Sequence, residues 1–346
     1  MNPLLTRSTL LLACALKTIA SFANPDIDDS FTGANHRDRC GAKPKIFILH
    51  SFGYSDEWPH HHFSKAGGTE GVVNGVTEKS CGVAPHYMVS QESKKIWQYA
   101  PENRAAYHAG VSDWHGWNVA HSTEGNVVNG LNEYSIGVEF QCPGYMLPYG
   151  VSGKPNNPNA PHFYPTEDSP FSLFHFPEFD PTVLDMSIAL SVDIVNRWKI
   201  AGEYVLPHSS ISPGRKTDPG PYFPYEDFAK AGVGVWASTD REGDSSLDIS
   251  LAHVQELLKT WGYHGVEVTC HFDDGTKKAL QSHYLHHLGR NVPWVNFLDV
   301  TSTIFNDIER WVDMPYDKEK LVINLENLVA GNYMYQPLYS VRDEKI

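Results

Sequence analysis

The chain has 346 residues, 41% of them hydrophobic and 12% aromatic, with a formal net charge of −14. That length favours two domains with cores of ordinary size, and the aromatic content excludes a disordered chain. The acidic balance lacks the basic field that a phosphate backbone demands, which excludes nucleic acid as a partner.

Residues 1–23 stand apart. Arg7 precedes a short apolar stretch from Ser8 to Leu16, and Ser21-Phe22-Ala23 places small residues where an export peptidase reads, so a signal segment and an exported protein are expected. Leu11-Leu12-Ala13-Cys14 also fits a lipoprotein box, and a lipidated Cys14 would be the one route to membrane anchoring. No other stretch is long and apolar enough to span a bilayer. Either cleavage leaves Cys40, Cys81, Cys142 and Cys270, an even count that permits disulfides without fixing their pairing. No CxxC pair is present, which argues against a thiolate zinc site.

From Lys45, the run Ile46 to Leu49 reads as a buried strand that ends at His50. The WPHHHF segment that follows is read as helix-like or looped. Its three consecutive histidines, His60 to His62, point in different directions from a loop and suit adventitious surface binding. Pro85 to Pro101 reads as a hairpin around a polar turn, in which Trp97 is either core or a stacking surface. Asn132 to Phe140 alternates: Tyr134, Ile136, Val138 and Phe140 face one way, and Ser135, Gly137 and Glu139 the other. Gly137 would leave room for a ligand beside Glu139. Residues 141–179 lack a period and form a long connection of the kind that carries function.

Asp180 and Pro181 are an N-cap and N1 pair, and Leu184, Ile188, Val192, Val195 and Trp198 recur at helical spacing up to Gly202. A short strand, Glu203 to Leu206, then delivers His208 into HSSISPGRKTDPGP, where the prolines and glycines forbid regular structure. Such alternation of strand, loop and helix predicts an α/β fold with a mixed central sheet packed by helices.

After Trp236 a polar linker over residues 236–246 leads to a second unit. Helices from Leu251 and from Asp273 or Asp274, and a third over residues 301–312, predict a small three-helix domain over residues 247–312, with His286 and His287 exposed on its second helix. Residues 313–346 form a tail of ambiguous structure.

His50, Glu139 and His208 thus lie at three strand ends, with Lys216 and Asp218 in the loop after His208. Two histidines and a carboxylate with one open position are a recurring ligand set for catalytic zinc. A further carboxylate could take a proton, and a fixed cation could stabilise an oxyanion. Residue types alone leave other readings open. An aspartate before Pro-Gly is good turn chemistry, and Glu139 with a second carboxylate could serve a glycosidase.

The pieces IFILHS, APHYMVSQESKKIWQYAPENRAAYHAG, NEYSIGVEF and HSSISPGRKTDPGPYFPYEDF occur in an order that resembles the type-2 N-acetylmuramoyl-L-alanine amidases, the superfamily of AmpD-like amidases and peptidoglycan recognition proteins. The most specific is the last, a histidine followed after nine residues by an aspartate, with lysine two before the aspartate and Pro-Gly after it. The resemblance implies a catalytic domain over residues 40–235 in which His50, His208 and Asp218 bind Zn²⁺. It implies Glu139 as the general base on the metal-bound water, Lys216 as the cation at the oxyanion, and His108 as a residue lining the substrate groove. The implied reaction cleaves the amide between the lactyl group of N-acetylmuramic acid and L-alanine of the stem peptide. VQELLKTWGY and FDDGTKKALQSHY resemble a three-helix peptidoglycan-binding domain, which with the signal segment implies a periplasmic or outer-membrane protein whose partners are peptidoglycan or muropeptides. Binding-only relatives supply the alternative, a non-catalytic recognition module.

Overall fold

The computed structural model describes residues 25–33, 35–52, 56–73, 75–123, 126–141, 180–221, 223–241, 246–288, 309–314 and 317–342. The signal segment with Cys14, Cys142 with the connection over residues 142–179, and most of the third expected helix lie outside the described residues.

Six strands form the central sheet: β1 (Ile27–Asp28), β2 (Ile46–Ser51), β3 (Tyr87–Val89), β4 (Ile96–Gln98), β5 (Ser135–Phe140) and β6 (Val205–Pro207), in the order β1-β4-β3-β5-β2-β6. β3 and β4 are the expected antiparallel hairpin, and the other neighbours pair in parallel. β2 lies inside the sheet with residues 46 to 50 all buried, as the near-continuous apolar run of a parallel strand covered on both faces requires. Phe47, Leu49, Ile136, Val138 and Phe140 share one hydrophobic cluster with α2 (Pro181–Trp198) and α4 (Tyr225–Lys230). α2 starts as its sequence dictates, with the Asp180 side chain accepting from the Thr182 N–H at 2.8 Å and Pro181 at N1.

The opposite face, bearing Ile46, Ile48 and Leu206, shares its cluster with Trp114 and with α5 (Leu251–Trp261), α6 (Asp274–His283) and α7 (Lys318–Ala330). The expected second unit is therefore docked on the sheet through a common core. Gly262 shows how close the approach is. It ends α5 at a φ of 140°, and a Cβ there would lie 2.4 Å from the Trp114 ring.

α7 lies in what reads from sequence as a tail, although Asp317 caps it and Leu321, Leu325 and Leu328 are buried at helical spacing. Beyond it the chain returns to the sheet side, with the Tyr339 carbonyl accepting from Gly202 N–H at 2.7 Å and the Gly232 carbonyl from Leu338 N–H at 2.8 Å. At the expected linker, Trp236 and Ala237 are buried, and Ala237 O accepts from Asn324 Nδ2 at 2.9 Å. Cys40, Cys81 and Cys270 are free and exposed, so no disulfide links the described cysteines. Among the described residues no helix is long and apolar enough to cross a membrane.

Candidate active site and metal centre

Three adjacent parallel strands deliver the site. The register sets Glu139 of β5 beside His50 of β2, and Pro207 of β6 beside Leu49, so His208 emerges next to His50. Carboxyl ends of parallel strands are where α/β sheets place their ligands. The segment after β6 is more regular than its prolines suggest: His208–Ile211 form one helical turn, α3, before the irregular stretch begins at Ser212. Ser209 N–H donates to the Asp218 carbonyl at 3.0 Å, which closes the loop and returns Asp218 to His208. Arg215, which sequence reasoning passed over, pins the loop by donating from Nη2 to the Ala109 and Val111 carbonyls, both at 2.8 Å.

The structure brings His50, His208 and Asp218 together as a buried group with one ligand atom each, all within 4.8 Å of one another. His50 Nδ1 lies 2.9 Å from His208 Nδ1 and 3.2 Å from Asp218 Oδ2, and the third edge is 3.0 Å. Burial, then the neighbouring His208, pushes His50 down to about 4. Burial alone would push the Asp218 carboxyl up, but the two imidazoles beside it hold it well below the usual range. Two imidazole lone pairs and a carboxylate at contact distance repel one another unless a cation sits among them. A tetrahedral ion with bonds of about 2 Å needs ligand atoms roughly 3 Å apart, and a site with three protein ligands keeps a fourth position open. The residues fit zinc.

Glu139 shares a sheet face with His50, and its Oε2 is buried without a hydrogen-bond partner. Burial, then repulsion from Asp218, raises its carboxyl well above the ordinary value, against the pull of the Lys216 cation. Lys216 is half-buried, close enough for its charge to act on both Glu139 and His50.

His108, expected to line the substrate groove, is partly buried beside His50. Its ring fills the space that Gly137 was expected to leave for a ligand: a Cβ on Gly137 would lie 2.3 Å from His108 Nδ1. That nitrogen is 2.9 Å from His50 Nε2, and His108 Nε2 is 3.1 Å from Ser135 Oγ. His86, which no sequence signal marked, is fully buried behind the same strand and accepts the Gly137 N–H at 3.1 Å.

His60 to His62, His286 and His287 differ from expectation. His60 to His62 lie on a helix, α1 (Glu57–Ser64), and His62 is buried between Glu78 at 3.1 Å and Cys81 Sγ at 3.3 Å. His286 and His287 are buried, because the helix surface that would face solvent in a detached domain instead meets Tyr225 of α4 and Trp236. Trp97 is buried in the cluster around Phe63 and Tyr99, a core role.

The model of the Amidase_2 family, N-acetylmuramoyl-L-alanine amidase, matches residues 41–221, just over half of the chain, and the matched stretch contains His50, His108, Glu139, His208, Lys216 and Asp218. The N-acetylmuramoyl-L-alanine amidase AmiD of Escherichia coli K12 is 30% identical over 193 residues, which cover 52% of this chain and 58% of that protein. The 1,6-anhydro-N-acetylmuramyl-L-alanine amidase AmpD of Enterobacter cloacae is 24% identical over 148 residues, covering 43% of this chain and 55% of that one. The chain thus spans little more than half the length of either enzyme. In three dimensions it is similar to E. coli AmiD in complex with anhydro-N-acetylmuramic acid-L-Ala-D-γ-Glu-L-Lys, with a TM-score of 0.52 and 23% identity over 84% of this chain and 91% of that one. Pseudomonas aeruginosa AmpDH3 in complex with an anhydromuramic pentapeptide gives 0.51 and 18% over 88% and 96%. These likenesses extend past the residues matched by the family model and bear on the fold alone. By the match to its family model, this chain belongs to the Amidase_2 family of N-acetylmuramoyl-L-alanine amidases.

Proposed function

We propose that the protein is a zinc-dependent N-acetylmuramoyl-L-alanine amidase, hydrolysing the amide between the lactyl group of N-acetylmuramic acid and L-alanine of the stem peptide. The observation that carries the reading is the convergence of His50 Nδ1, His208 Nδ1 and an Asp218 oxygen within 4.8 Å, beside the unpartnered carboxylate oxygen of Glu139. His50, His208 and Asp218 would hold the ion, which when bound supplies Lewis acidity and makes water acidic enough to lose a proton near neutral pH. Glu139 accepts that proton as the general base and passes it to the leaving amine. Its raised affinity for protons in the metal-free site is offset by a cation among the three ligands, since opposite charge favours the carboxylate. Lys216 supplies fixed positive charge where the carbonyl oxygen becomes an oxyanion.

The docked helices suit a peptidoglycan-binding role: sharing a core with the catalytic portion, they would hold polymer and site in fixed relation and raise the effective concentration of substrate. Export to the periplasm or outer membrane is supported by the apolar stretch after Arg7.

Metal analysis of the purified protein, followed by activity on muramyl peptides before and after a chelator, tests the reading. Activity is expected to vanish on chelation and return with zinc. Full activity in the chelated protein would overturn the metal assignment, and zinc binding without hydrolysis would make the chain a recognition module.

A further inference from the structure

We propose that the dipeptide His108-Ala109 is a positioning device that fixes the tautomers of both metal-binding histidines, and that His108 acts through His50 without touching substrate. The proposal rests on the metal-site reading above. The path of protons can be followed from a fixed end. The Leu131 carbonyl, 2.8 Å from Ser135 Oγ, can only accept, so the Ser135 hydroxyl donates to it. Ser135 Oγ is then the acceptor for His108 Nε2 at 3.1 Å, which puts the His108 proton on Nε2. His108 Nδ1 is left as a lone pair, and it faces His50 Nε2 at 2.9 Å. His50 therefore donates from Nε2, and in its neutral form presents a bare Nδ1 to His208 and Asp218.

Ala109 does the same for His208. Its carbonyl lies 3.2 Å from His208 Nε2 and can only accept, which leaves His208 Nδ1 bare on the metal side. Arg215 Nη2 is 3.3 Å from the same His208 nitrogen but has closer acceptors in the Ala109 and Val111 carbonyls at 2.8 Å. One buried side chain holds both halves of the device: Asn132 Oδ1 accepts from the His108 N–H at 3.2 Å and the Ala109 N–H at 2.8 Å. Gly137 completes the seat, because any side chain there would collide with the His108 ring. With both lone pairs set before an ion arrives, binding needs neither a ring flip nor the transfer of a proton between ring nitrogens.

The test is zinc affinity by competition with a chromophoric chelator, with the melting temperature of each metal-free protein as the folding control. His108→Ala removes the acceptor for His50 and is expected to weaken zinc binding about 10- to 100-fold. An asparagine oxygen falls near the position of Nδ1, whereas a glutamine oxygen reaches toward that of Nε2. His108→Asn is therefore expected to recover more affinity than His108→Gln, an order that mere space-filling would not produce. Ser135→Ala, which keeps the ring but frees its tautomer, is expected to fall between wild type and His108→Ala. Imidazole nitrogen NMR shifts of the metal-free wild type need no variant and should place the proton of His50, His108 and His208 on Nε2 in each ring. A proton on His50 Nδ1 would overturn the proposal. So would unchanged zinc affinity in a folded His108→Ala protein whose KM for muramyl peptide rises, which would return His108 to the substrate groove. If the wild type itself held no zinc, the metal-site reading would fall, and the nitrogen shifts would still decide whether the relay exists.

Discussion

Near the strand ends, His50, His108 and His208 each have a ring nitrogen matched to a protein group on the side away from the three-ligand cluster; at and just past the end of α6, His283, His286 and His287 pack ring on ring, and apart from His283 Nε2, which meets Asn324 Oδ1 at 3.0 Å, the Nδ1 of each and Nε2 of His287 have no partner among the described residues. Both clusters are buried, and burial lowers His50 to about 4 and His283 to about 3. What separates them is direction. In the first, lone pairs converge on one point beside a carboxylate, while the opposite nitrogens are anchored. In the second, the His286 and His287 rings lie face to face with centroids 3.7 Å apart, and both nitrogens of His287 lack a partner among the described residues. Burial and a depressed pKa therefore do not mark a site; convergent lone pairs backed by anchored nitrogens do.

The largest effect should come from the ligands themselves. Asp218→Ala or His208→Ala is expected to abolish zinc binding and activity together, whereas His287→Ala should leave the zinc content of the purified protein unchanged. Loss of zinc from the His287 variant would break the contrast. Next, Glu139→Gln should retain zinc while kcat falls about 10²- to 10⁴-fold, the range for a general base. Equal loss of zinc and kcat would show Glu139 to be a ligand.

The second cluster should reveal itself through acid. Its histidines titrate near 6.5 when unfolded and well below that when folded, so below pH 6.5 the unfolded chain binds more protons. Stability is then independent of these groups above pH 6.5 and falls as pH drops toward their folded values. Each contributes a slope of up to about 1.4 kcal/mol per pH unit. Denaturant unfolding between pH 7.5 and 5 should give a shallower decline for His287→Phe than for wild type, and identical slopes would contradict the neutral buried ring. At pH 7.5 the same substitution should be neutral or stabilising by about 1 kcal/mol, because it removes buried polar atoms that have no partner. A clear loss of stability would mean that those nitrogens are satisfied.

The alternation of residues 135 to 140 is enough to put Ser135, Gly137 and Glu139 on one face, and the spacing from His208 to Asp218 marks a single loop, so the cluster was legible in outline. The partnership of His108 with Gly137 was not. A glycine in a strand announces close approach but not of what, and the two residues meet only through the tertiary fold. The exposure of His286 and His287 was misjudged because a helix in a detached domain must have a wet face, and here that face is covered by the sheet's own helix and linker. α7 could have been read: Asp317 is a cap and Leu321, Leu325 and Leu328 keep the period. The burial of His62 between Glu78 and Cys81 depends on the paired strands over residues 70–73 and 76–79, whose packing no local pattern reveals.

The most direct test of the central claim is mass spectrometry of what the protein releases from purified peptidoglycan, run beside the chelated protein and Glu139→Gln. Stem peptides with a free L-alanine amine, released by the zinc-loaded wild type and missing from both controls, are the predicted result. Sugar fragments that still carry their peptides would contradict it and move the chemistry to the glycan.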